Sequence, residues 1–82
     1  MSNLVEAIKI WDKEFSSENK FPEDKNFISK EAWVHGYVFG KFSEYIPVSE
    51  KAKILVQNKN LESIYRLEFN NGQIHGQKGD LD

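Results

Sequence analysis

The chain reads as an α+β domain: two N-terminal helices packed on a C-terminal two- or three-stranded antiparallel sheet. Three observations predict it. Apolar residues recur at helical spacing between Leu4 and Phe15, and again between Ala32 and Ile46. Apolar and polar residues then alternate through Tyr65-Arg66-Leu67-Glu68-Phe69, the period of a half-buried strand. Asn71-Gly72 follows, a strong signal for a two-residue hairpin turn because both residues accept positive φ. The alternative is an all-α bundle of short helices. At 82 residues the chain makes a single domain, 1–82, with residues 77–82 expected to fray.

The first helix takes Ser2 or Asn3 as its cap and runs to about Glu18. Leu4, Val5, Ala7, Ile8, Trp11 and Phe15 fall on one side, with Glu6, Lys9, Lys13 and Ser17 opposite and Ile10 off the apolar stripe. Its polar face mixes signs, which argues against a membrane-surface helix, since such helices carry a basic face. Residues 16–28 read as a polar connection anchored by Phe21 and Phe27. Within it, Pro22 followed by Glu23 and Asp24 suits the opening of a short helical turn.

The second helix is expected from about Lys30 to Tyr45, with Ser29 as its cap and Pro47 as its stop. Its core arc holds Ala32, Val34, Val38, Phe39, Phe42, Tyr45 and Ile46, and His35 falls within that arc. Trp33 and Tyr37 lie with Gly36 and Gly40 on the other side, the one that should meet water. Ser49-Glu50-Lys51-Ala52 can start a short helix, and Ile54-Leu55-Val56-Gln57 can supply a third strand ahead of the polar turn Asn58-Lys59-Asn60. A rival reading makes Leu61 to Phe69 helical, with Gly72 near its C-terminus.

Composition excludes several function classes. Hydrophobic residues make 39% of the chain and eleven positions are aromatic, too many for a disordered segment. No apolar run approaches the ~20 residues of a membrane span, so no membrane insertion is expected. The N-terminal stretch carries acids among its apolar residues, so it is not a secretory signal, and a cytoplasmic location is expected. With no cysteine there is no disulfide, thiolate metal site or thiol nucleophile. Neither His35 nor His75 has a second ligand at metal spacing, and no serine stands in a nucleophile-elbow sequence. Gly36 and Gly40 sit within a helix, not ahead of one, so they cradle no phosphate. No catalytic residue, metal or cofactor is therefore expected. His35 as a general base is the sharpest enzymatic alternative.

Two helices and a hairpin match the outline of a winged-helix DNA-binding regulator, and this is the alternative function. Yet the element that would read bases, Val38 to Ile46, holds one cation, Lys41, and the net charge is −2. Nucleic acid is therefore disfavoured as a partner. What is left is a small protein-binding module whose contact face comprises Trp33, Gly36, Tyr37, Gly40 and Lys41. Trp and Tyr are interface hot-spot types, and two glycines on one helix face admit a close backbone or ring. A homodimer through helix two would use that face. The competing explanation is that another element of the same chain fills the glycine notch. Ten lysines against one arginine reflect an A+T-rich genome. An inhibitor or accessory protein of a phage or mobile element, acting by occluding another protein, fits that background.

Overall fold

A computed structural model of the chain describes residues 3–15 and 23–78, and among them there are four α-helices and no strand. They are α1 (Asn3–Phe15), α2 (Glu23–Phe42), α3 (Glu50–Leu55) and α4 (Lys59–Lys78). The expected sheet is thereby corrected, and the all-α alternative is the fold. The reason lies in Tyr65 to Phe69. Periods of 2 and 3.6 both place i and i+4 on one face, so Tyr65 and Phe69 agree with either. Leu67 separates them: a strand would bury it beside Tyr65 and Phe69, whereas it is 59% exposed on α4. Asn71-Gly72 makes no turn, because Gly72 is buried in the middle of α4. The third strand is likewise absent, since Ile54 and Leu55 close α3.

Local chemistry starts the short and the last helix. Ser49 caps α3, its Oγ accepting the Ala52 N–H at 3.2 Å. Asn58 precedes α4, and its Oδ1 accepts the N–H groups of Asn60 at 2.8 Å and Leu61 at 3.3 Å. The start of α2 is earlier than expected: Glu23 and Asp24 open the long helix itself, where acids complement its N-terminal dipole. It also ends earlier. Ser43 turns left-handed at φ 56, and its N–H still reaches the Phe39 carbonyl at 3.0 Å. Pro47 therefore lies beyond a helix that has already ended. Ser2, residues 16–18, Phe21, Pro22 and the tail beyond Lys78 lie outside the described residues. Gln77 and Lys78, expected to fray, form the last turn of α4.

α2 is the central element. From Ile28 to Val38 it buries residues around most of its circumference, including Trp33, His35, Gly36 and Tyr37. A helix enclosed on several sides cannot show one clean apolar stripe. α1 covers one side, with Ala7 and Trp11 buried against Trp33, Val34, Tyr37 and Val38. Ile10, placed off the stripe by its spacing, is also partly buried against this cluster. α3 packs on α2 through the fully buried Ala52, and α4 makes the most extensive helix contact in the molecule along α2.

The α2–α4 pair sets the topology. Gly36 faces Phe69 and Gln73, Gly72 faces Trp33 and Tyr37, and Gly76 faces Tyr37, Gly40 and Lys41. Contacts therefore advance in the same sense along both helices, which run parallel where they cross. Consecutive parallel helices need a connection that returns along the first one. Residues 43–58 provide it: Ser49 binds Glu31, and Lys51 Nζ sits 4.5 Å from the Phe27 ring centre, near the start of α2.

Candidate protein-binding surface

The residues expected to form a binding face instead form the seam between α2 and α4. Trp33 is 1% exposed and Tyr37 is fully buried. A Cβ on Gly36 would run into the carbonyl of Phe69, and one on Gly72 into the carbonyl of Trp33. Gly40 and Gly76 repeat the arrangement one turn on, against the carbonyls of Gln73 and Tyr37. Each helix thus offers a Gly-x-x-x-Gly face to the other's backbone. The hydrogens in the Cβ directions point at carbonyl oxygens, the arrangement of weak Cα–H···O contacts between helices. The expected exposure of Trp33 and Tyr37 is therefore corrected, and the face on which a helix-two homodimer was expected is taken up within the chain. The backbone that fills the glycine notch is α4 of the same chain.

Trp33 and Tyr37 are covered by rings. They stack on each other at 5.3 Å, Phe15 meets Trp33 edge-on at 5.5 Å, and His75 lies 5.7 Å from Trp33. Lys41 alone of the predicted set is exposed. Its ammonium donates to Glu6 at 2.9 Å and to the Tyr37 hydroxyl at 3.4 Å, tying α2 to α1. The Glu6 hydrogen bond, followed by that to Tyr37, raises the lysine pKa above its ordinary value.

Folding does bring a serine, an acid and a histidine together, but not as a catalytic set. Glu31 accepts both the Ser49 N–H and its Oγ–H at 2.9 Å. Since the same Oγ accepts from Ala52 while its proton goes to Glu31, this hydroxyl is committed on both sides to capping α3 and tying it to α2. His35 Nδ1 lies 4.0 Å from the second Glu31 oxygen. It is buried and has no hydrogen-bond partner. Burial pushes the His35 imidazole below the usual histidine pKa, and the Glu31 charge opposes the shift. The spacing had placed His35 in the core, where it is. His75 is exposed as expected, though on a helix, and its Nδ1–H donates to the Asn71 carbonyl at 2.9 Å.

A different surface is open. Tyr45, Val48, Tyr65, Arg66, Phe69 and Asn70 line a groove of about 440 Å³ between α4 and the returning connection. A smaller hollow of about 190 Å³ adjoins it, sharing Val48, Tyr65 and Arg66 and adding Val56 and Glu62. The walls are aromatic: Tyr65 stacks on Phe69 at 6.2 Å, and Phe39 lies 6.1 Å from Phe69. Tyr45 is 66% exposed and Phe39 also reaches solvent. Arg66 stands at the rim, hydrogen-bonded to Glu62 at 3.3 Å. Desolvation, reinforced by the charges of Glu31 and Tyr45, pushes the Tyr65 phenol up to about 12. Sequence reasoning missed this groove because it put Tyr65 and Phe69 on a strand and Phe39 and Tyr45 on the core arc. Their i, i+4 spacing on α4 was the available signal.

Among the described residues no cluster of His, Asp and Glu is arranged to hold a metal ion. No helix there is long and apolar enough to cross a membrane. Comparison with protein-family models, with curated proteins and with solved structures finds no match to this chain.

Proposed function

We propose that this chain is a small non-enzymatic protein-binding module and that its contact surface is the groove walled by Tyr45, Tyr65 and Phe69. The carrying observation is that three aromatics and an arginine line one open groove, with Phe39 set against Phe69 beside it. Tyr and Arg are residue types that dominate interface energies, and a partly exposed aromatic wall gains from being covered. A groove of this size accepts the apolar side chains of a partner segment laid across it. Acting by occlusion asks nothing more of the molecule, and it suits a phage or mobile-element inhibitor or accessory protein. The regulator alternative loses its motivation with the hairpin, which was to have been the wing.

A photo-crosslinking residue placed at Tyr45, and separately at Lys9 on the exposed side of α1, tests this reading in the cell of origin. A discrete adduct from the Tyr45 position that is absent from the Lys9 position, and lost on Phe69→Ala, supports it. The same adducts from both positions would refute it. Titration of duplex DNA at low salt is the second arm, and binding that weakens steeply with added salt would restore the DNA-binding reading.

A further inference from the structure

α4 carries an apolar stripe that the described residues leave open. Ile64, Leu67, Asn71 and Ile74 follow one another at steps of three, four and three residues, so they line one side of the helix. At about 100° per residue that side lies opposite Gly72, Gln73 and Gly76, which face α2. Leu67 is 59% exposed and Ile74 47%; Asn71 is exposed and Ile64 half-buried. None of the four lines the aromatic groove, whose α4 members are Tyr65, Arg66, Phe69 and Asn70. The spacing is that of a coiled-coil seam, with Ile64 and Asn71 at its a positions and Leu67 and Ile74 at d.

We infer that a second copy of this chain docks on the stripe, the two α4 helices pairing in parallel about a two-fold axis. Three features select that occupant. Branched Ile64 at a, followed by Leu67 at d, favours a two-stranded pairing. A parallel two-fold seam sets each residue against itself, and asparagine is self-complementary because its amide both donates and accepts. The Asn71 amide donates to Glu68 on its own helix, which leaves one N–H and the carbonyl oxygen for Asn71 of the second copy. The flanks agree as well. Parallel pairing sets Ser63 beside Glu68 of the second copy and Asn70 beside its His75, so no charge there meets its like. Antiparallel pairing over the same stripe would set Asn71 against Leu67 and bring the two Glu68 carboxylates together at the axis. Only Lys78 would face itself in the parallel pair, and as the last residue of α4 it can turn its ammonium to solvent.

Sedimentation equilibrium of the whole chain tests the inference. The wild type should dimerise with a dissociation constant on the order of 100 µM, since three apolar side chains per copy make a small seam. Leu67→Glu should weaken the dimer more than tenfold by setting carboxylates against each other, with circular dichroism unchanged because the position is exposed in the single chain. Asn71→Leu should tighten self-association more than tenfold, because a polar residue at a holds register at a cost in stability. Tyr45→Ala should leave it unchanged. Orientation is read by oxidising Asn60→Cys, the preceding d position, in a chain with no other cysteine. Parallel copies should link through a disulfide, whereas antiparallel copies would hold the two thiols about 27 Å apart. A wild-type monomer at about 1 mM overturns the proposal, and that result needs no variant to fold. So does a dimer that survives Leu67→Glu, that is lost on Tyr45→Ala, or whose Asn60→Cys copies do not link. The Tyr45 crosslinker reports on the groove and is independent of the wild-type sedimentation result.

Discussion

Replacing Gly72 by alanine should destabilise the protein, against the direction that helix propensity sets. In an exposed helix interior the change would gain about 1 kcal/mol. Here the new Cβ would stand 2.9 Å from both the Trp33 carbonyl carbon and the Tyr37 nitrogen, with the Trp33 oxygen nearer still. These are backbone atoms of a packed helix, so no side chain can swing away. Relief comes from parting α2 and α4 by more than half an ångström. A gap of that order forfeits about a quarter to a half of each contact's attraction, and a buried side chain makes about 40–60 contacts of 0.1–0.2 kcal/mol. For one ring-sized side chain at the seam the loss spans about 1–6 kcal/mol with a central value of about 3, leaving a net cost of about 2 kcal/mol after the propensity gain. A domain of 82 residues has roughly 4–12 kcal/mol in all. Thermal melts followed by circular dichroism should show Tm falling by about 5–20 °C. Ser63→Ala, at an exposed position of the same helix, is the control and should hold Tm or raise it slightly. Gly36→Ala combined with Gly72→Ala should cost less than the two singly, because one separation relieves both contacts. A Tm for Gly72→Ala equal to or above wild type would refute the close crossing of α2 and α4.

Ser43→Gly should stabilise by about 0.5–1 kcal/mol, because glycine takes the left-handed φ of 56 without the Cβ conflict; a chemical-denaturation midpoint lower than wild type would count against it. Asn58→Ala should cost about 1 kcal/mol by leaving the Asn60 and Leu61 N–H groups without their cap, read as a lower denaturant midpoint at unchanged slope. His35 titrates below 6.5 in the folded protein. Between the folded and unfolded pKa values the unfolded chain therefore binds more protons, and stability must fall as pH falls through that window. Urea melts from pH 7.5 downward should show this decline, and His35→Gln should flatten it. The Tyr65 phenol, at about 12, has the opposite sense: stability is present below pH 10 and is lost as pH rises from 10 towards 12. Absorbance titration should show the Tyr65 phenol ionising late, as a component that Tyr65→Phe removes.

Parts of this fold are legible without coordinates. The apolar spacing of Leu4, Ala7, Ile8 and Trp11 makes α1, and Ser49 ahead of Glu50 makes the cap of α3. His35 within the apolar arc of helix two is buried because its neighbours along the helix are. The candidate groove was not legible, although its aromatics were counted. Phe39 and Tyr45 come from the end of α2 and the connection, Tyr65 and Phe69 from α4, and only the return of residues 43–58 along α2 makes them neighbours.

The four glycines mark where residue-level reasoning stops. The spacing of Gly36 and Gly40 already admitted a close approach, since two missing side chains on one helix face cost about 1 kcal/mol each and leave room for another backbone or a ring. What approaches could not be read from it. The matching spacing of Gly72 and Gly76 was hidden behind a turn signal, because Asn-Gly suits a hairpin as a local sequence and a helix crossing as a tertiary one. Local chemistry determined the start of α3, the burial of α1 and the absence of cysteine chemistry. Tertiary packing decided that residues 64–76 are helical, that Trp33 and Tyr37 are core, and which surface stays open. The physical reason is that a glycine's lack of a side chain is worth most where another backbone fills the space. That backbone comes from a helix running parallel to the first, which no window of consecutive residues contains.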